Sequence, residues 1–90
     1  MRERRVETAL TSAVKARGGW AVKLLPSVSG LPDRLVLLPG GRIFFVELKA
    51  PNKRPTVHQT VVHRRLKELG FEVAVLSSPE MVKDWVTNIG

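Results

Sequence analysis

Apolar and polar positions follow two rhythms along this chain, and each change of rhythm marks an element. Between residues 2 and 17, Val6, Ala9, Leu10, Ala13 and Val14 recur at the i, i+3, i+4, i+7 spacing of one helical face, and Gly18-Gly19 stops the run. Trp20 to Leu25 is then a short apolar run of strand length, followed over residues 26–30 by turn chemistry (Pro-Ser-Val-Ser-Gly). Arg34 to Leu38 reads as a second strand, Pro39-Gly40-Gly41 as a turn and Arg42 to Lys49 as a third strand. A glycine turn of that length between apolar runs predicts a hairpin. Thr56 to Gln59 has the form of a capping box opening a second helix, with Val57, Val61, Val62, Leu66 and Leu69 as its expected buried stripe and Gly70 as its end. Phe71 to Leu76 is a fourth strand. Ser78 as N-cap and Pro79 at the first helical position open a last helix, whose apolar side is Met81, Val82, Trp85 and Val86.

The predicted order is α-β-β-β-α-β-α, an α/β domain with a mixed four-stranded sheet flanked by helices. A helix separates the third and fourth strands, so those two are expected to pair in parallel through a right-handed crossover. Residues Ile43 to Val46 are apolar on both faces, which places the third strand in the middle of the sheet. The 90 residues are expected to form one domain, since a chain of this size has no room for a second core.

Composition changes this picture in two respects. The absence of cysteine excludes disulfides and thiolate metal sites, and no run approaches the roughly 20 apolar residues of a membrane span. With no apolar run behind Met-Arg-Glu-Arg-Arg to make a signal peptide, a soluble cytosolic protein is expected, without a membrane partner. Fifteen Lys and Arg against eight Asp and Glu give a net charge of +7, which favours a polyanionic partner, nucleic acid before membrane. The few aromatic residues lie mostly in apolar runs, so contact with a duplex backbone is expected rather than base stacking.

The candidate chemistry sits at the end of the third strand. Glu47 and Lys49 are two apart, share a face and lie about 7 Å from one another along the strand. Charges at the end of a buried strand are expected to be paired or bound to a metal. Asp33 stands at the head of the preceding strand, and in a hairpin the head of one strand lies beside the tail of the next. Asp33 and Glu47 are thus expected to converge as a hard-cation site, with Lys49 beside it to orient a water. Such parts suit phosphodiester hydrolysis. A structural Glu47–Lys49 ion pair is the alternative for this cluster, and a non-catalytic basic nucleic-acid-binding module is the alternative for the whole chain. A basic protein-interaction domain is a third possibility.

Flanking residues carry further expectations. Glu3 and Glu7 lie one turn apart on the first helix; Glu3 reads as a solvent-facing acid, while Glu7, nearer the apolar stripe, is either another such acid or a site residue. Lys53 and Arg54, in the two-proline loop after Lys49, are expected to touch phosphates, and Arg34 and His58 are assigned with them to DNA binding. Gln59 is explained by the capping box and stands close enough to the third strand to assist Lys49 as well. His58 and His63 are five apart and do not share a helix face, which argues against zinc. Arg64, Arg65 and Lys67 are expected on a solvated or DNA-facing surface.

Pro32-Asp33 followed by Glu47-Leu48-Lys49 resembles the PD-(D/E)xK nuclease superfamily. Glu7 on the first helix, Ser29-Gly30-Leu31-Pro32-Asp33, Phe45-Val46-Glu47-Leu48-Lys49-Ala50, and Gln59 after a basic proline-bearing loop together resemble a stand-alone virus-type replication-repair nuclease (VRR-NUC) domain, essentially end to end. The resemblance implies a restriction-endonuclease-like core and a Mg²⁺- or Mn²⁺-dependent DNA endonuclease. It implies that Asp33, Glu47 and the main-chain carbonyl of Leu48 hold the metal, that Lys49 serves the attacking water, and that Glu7 and Gln59 complete the site. It also implies a homodimer acting on branched DNA in the manner of a Holliday-junction resolvase in DNA repair.

Overall fold

The computed structural model describes residues 4–25 and 28–90. Glu3 and the Pro26-Ser27 part of the predicted loop lie outside the described residues. The elements are α1 (Arg4–Ala16), β1 (Trp20–Lys23), β2 (Arg34–Leu38), β3 (Arg42–Leu48), α2 (Val57–Glu68), β4 (Glu72–Leu76) and α3 (Pro79–Asn88), in the order that the apolar pattern predicts. The strands form one sheet in the order β1-β2-β3-β4. The β1/β2 and β2/β3 pairs are antiparallel, and β3 pairs with β4 in parallel across the helical connection. β3 is thus flanked on both sides, as its continuous apolar run requires. The hairpin between β2 and β3 closes at Leu38↔Arg42 over Pro39-Gly40-Gly41, where both glycines adopt positive φ. β1 stops two residues short of the predicted Leu25, but the Leu24 N–H still donates to the Asp33 carbonyl at 2.9 Å.

Alternation along the strands assigns one face of the sheet to the core. Val36, Leu38, Phe44, Val46 and Leu48 meet Val6, Leu10 and Val14 of α1 and Val82 and Val86 of α3 in one cluster. Trp85 of α3 packs edge-on to Phe44, with ring centroids 5.6 Å apart. α3 is further tied down by Arg17, which donates to the Val86 carbonyl at 2.9 Å. Met81, expected on the apolar side of α3, is instead largely exposed at one end of that helix. So is Trp20 on the edge strand β1, despite its place in an apolar run.

The other face of the sheet belongs to α2, and here the expected stripe holds only at Val62 and Leu66. Val57 is 83%, Val61 53% and Leu69 66% exposed. The face turned to the sheet carries Gln59, Val62, His63 and Leu66, of which only His63 is fully buried. These four also follow i, i+3, i+4, i+7, but the line is rotated around the helix from the purely aliphatic one. The reason lies beneath it. The strand end that α2 covers bears Glu47 and Lys49, so polar residues meet polar residues there. No helix among the described residues is long and apolar enough to cross a membrane.

Candidate active site

Asp33 reaches its place through a loop pinned on α2. Gly30 has φ +90°, and a Cβ there would lie 2.7 Å from Val62 Cγ2 and 3.0 Å from the His58 ring, so only glycine fits against the helix. The His58 Nε2–H donates to the Ser29 carbonyl at 2.9 Å, and Pro32 is fully buried. The chain is therefore held on both sides as it enters β2. Asp33 Oδ1 then accepts the Leu48 N–H at 2.9 Å. In the β2/β3 register Arg34 faces Val46, so the next rung sets Asp33 beside the Glu47–Leu48 end of β3. Asp33 and Glu47, far apart in sequence, thus occupy neighbouring rungs at one end of the hairpin. N–H and C=O of one strand residue point to the same side, so the Leu48 carbonyl also faces the Asp33 flank.

Glu47 is 5% exposed, and a nitrogen stands off each of its carboxylate oxygens. Lys49 Nζ is 3.8 Å from Oε2, and His63 Nε2 is 3.8 Å from Oε1. Both gaps exceed hydrogen-bond length, so these are loose electrostatic contacts rather than a locked salt bridge. The alternative of a self-contained structural Glu47–Lys49 pair predicts closer geometry and does not account for Asp33. Burial, and after it the cations of Lys67 and Lys49, push the His63 imidazole below its ordinary pKa. The ring is therefore neutral at pH 7.

Arg34 lies where the sequence reading did not place it. Expected to contact DNA, it is buried, and its guanidinium pairs with Glu7 and reaches Asp33 Oδ2 at 3.2 Å. Burial lowers its pKa and the nearby Glu47 carboxylate raises it. One internal cation thus sits amid three acids, Glu7, Asp33 and Glu47, and relieves their mutual repulsion. A guanidinium so committed has no face left for a phosphate backbone. Glu7, left open by its pattern, is placed by this pair beside the site.

The other expected residues divide by exposure. Lys53 and Arg54 are exposed on the loop that follows Lys49, as phosphate contacts require. His58 is exposed but spends one ring nitrogen bracing the Ser29 carbonyl. Gln59 Oε1 accepts the Thr56 N–H at 2.9 Å while the Gln59 N–H donates to Thr56 Oγ1 at 3.1 Å, so the capping box is formed and the side-chain NH₂ is the end turned away from it. His63 shares no helix face with His58. Its partner on the helix face is Gln59, four residues before it, and that spacing is visible in the sequence.

The residues present fit a hard divalent cation. Among the described residues no three Asp, Glu or His side chains gather into a cage. Two carboxylates and a main-chain carbonyl are instead the incomplete oxygen set that Mg²⁺ takes while keeping several waters.

No family model matches the chain. The phage protein named "Putative nuclease p44", from Acyrthosiphon pisum secondary endosymbiont phage 1, is 48% identical over 82 residues, spanning 90% of this chain and 88% of that protein. A solved structure described as a VRR_NUC domain superposes with a TM-score of 0.90 at 37% identity, over 98% of this chain and 97% of its own. With nearly half its residues shared with one relative and its backbone matched end to end by another, the chain belongs to the VRR-NUC family of nucleases.

Proposed function

We propose that the 90 residues act as one divalent-cation-dependent endonuclease domain, with Mg²⁺ or Mn²⁺ as cofactor, that hydrolyses phosphodiester bonds in DNA. The observation that carries this reading is the seating of Asp33 Oδ1 on the Leu48 N–H, which brings a second acid to Glu47 beside Lys49. The bound ion supplies polarisation of the phosphate and a lowered pKa for a water. Asp33, Glu47 and the Leu48 carbonyl hold that ion, and Glu7 completes the acidic wall. The Lys49 Nζ, tethered loosely to Glu47, orients the attacking water and offsets the charge that develops on the phosphate. The NH₂ group of Gln59 adds a donor from the first turn of α2. Lys53 and Arg54, with the outward side of His58, bind flanking phosphates.

Branched duplex is the proposed substrate and a homodimer the working form. Two sites related by a two-fold axis suit paired cuts across a junction. Incubation of the purified protein with labelled four-way, flap and linear DNA and with RNA, in Mg²⁺, Mn²⁺ or excess chelator, tests the reading, with light scattering for the dimer. Cleavage that persists in chelator, or is unchanged in Asp33→Asn or Lys49→Ala, refutes it. If no substrate is cut and Glu47→Ala leaves folding and DNA affinity intact, the chain is a non-catalytic basic binding module.

A further inference from the structure

The buried His63 ring stands outside every role described so far. It is 6% exposed, and its Nε2 has no hydrogen-bond partner among the described residues. A buried polar nitrogen left without a partner is costly, and native structures retain few of them. The nitrogen is not aimed at apolar surroundings. It lies 3.8 Å from Glu47 Oε1, across the carboxylate from Lys49.

We propose that His63 is a positioning residue for the ion-binding carboxylate of Glu47, donating from Nε2 to Oε1. The inference rests on the divalent-cation reading above. A carboxylate that binds a cation through one oxygen needs a donor on the other, because an unheld carboxylate rotates and loses its ligand geometry. Lys49 cannot serve that purpose and the attacking water together, whereas His63 has no other task. Closing 3.8 Å to a hydrogen bond requires the Glu47 carboxylate to move by about 1 Å, within the reach of a side-chain rotation. The Glu47 carboxylate stands among Arg34, Lys49 and His63. His63 lies on the buried line of α2 four residues after Gln59, so the same helix carries the capping residue and the carboxylate holder.

Mn²⁺ titration of the full chain, read by the EPR signal of the free ion, tests this without reference to cleavage. His63→Leu and His63→Met remove the donor while filling the space, and His63→Gln keeps a donor. The donor-free variants are expected to bind Mn²⁺ about 10–100-fold more weakly than wild type. His63→Gln is expected to recover most of that loss. The two donor-free variants are expected to melt in chelator at or above the wild-type temperature, since each removes the partnerless ring nitrogen; a merely structural histidine would show the reverse. Either donor-free variant that folds suffices for the comparison. Mn²⁺ affinity within twofold of wild type in that variant overturns the proposal. So does nitrogen coupling to Mn²⁺ in the pulsed EPR spectrum, which makes His63 a ligand instead. A wild-type chain that binds no Mn²⁺ removes the cation reading itself, and this inference with it.

Discussion

Replacing Asp33 by alanine and by asparagine separates two tasks that one side chain performs. Oδ1 accepts the Leu48 N–H at 2.9 Å, and Oδ2 lies 3.2 Å from Arg34 Nη1. Leu48 is buried, so alanine leaves its N–H without an acceptor, at a cost of about 1–3 kcal/mol. The contact with Arg34 adds little, because the Asp33 side chain is 37% exposed and Arg34 retains Glu7. For a domain of this size the loss corresponds to a fall of roughly 5–20 °C in melting temperature. Asparagine keeps an oxygen in the place of Oδ1 and is expected to melt within a few degrees of wild type. Neither variant presents the negative oxygen that a hard cation takes, so both lose Mn²⁺-dependent cleavage and the rise in melting temperature that Mn²⁺ induces. Thermal melts in chelator and in saturating Mn²⁺, run beside a cleavage assay, give the comparison. An asparagine variant that cuts like wild type removes Asp33 from the ligand set. An alanine variant that melts in chelator with the asparagine variant removes its structural role.

Four other outcomes are expected. Gly30→Ala forces a positive φ on alanine and drives its Cβ towards Val62, costing about 1–3 kcal/mol and displacing Asp33, so both melting temperature and Mn²⁺ affinity fall. Gln59→Glu keeps the capping box and hence the melting temperature, but replaces the NH₂ donor, so cleavage falls about tenfold or more; unchanged cleavage confines Gln59 to capping. The His63 ring is held below its ordinary pKa, so in chelator the unfolded chain takes up a proton there from about pH 6.5 downward while the folded chain does not. Stability contributed by the neutral ring therefore falls as pH drops through that range, and wild type loses melting temperature relative to His63→Leu; a difference independent of pH contradicts the assignment. Lys53→Ala and Arg54→Ala each weaken DNA binding across sequences and reduce the slope of log affinity against log salt by about one, as read by anisotropy titrations.

Much of the site could be read before folding was considered. Glycines after Pro39, the apolar runs on either side and the charge pair at Glu47 and Lys49 place Asp33 opposite Glu47, because antiparallel pairing from a tight turn leaves little freedom of register. The capping box at Thr56 and Gln59 formed as expected because it depends on residues only three apart. Arg34 was misjudged because a basic residue at the start of a strand looks the same whether it faces solvent or an acid from another element. Its partner Glu7 is on α1, and only packing of that helix against the sheet brings them together. The stripe on α2 was misjudged for a related reason, since counting aliphatic residues assumes that what lies opposite is aliphatic.

The order of elements, the hairpin and the pair of acids at its open end follow from the residues alone, because alternation, capping and glycine turns act over a few positions. The choice of which side of α2 turns inward, the capture of Arg34 and the burial of His63 against Glu47 followed only from the assembled fold. Burial depends on what stands across the gap, and across from these residues stands a charged strand end contributed by a distant part of the chain.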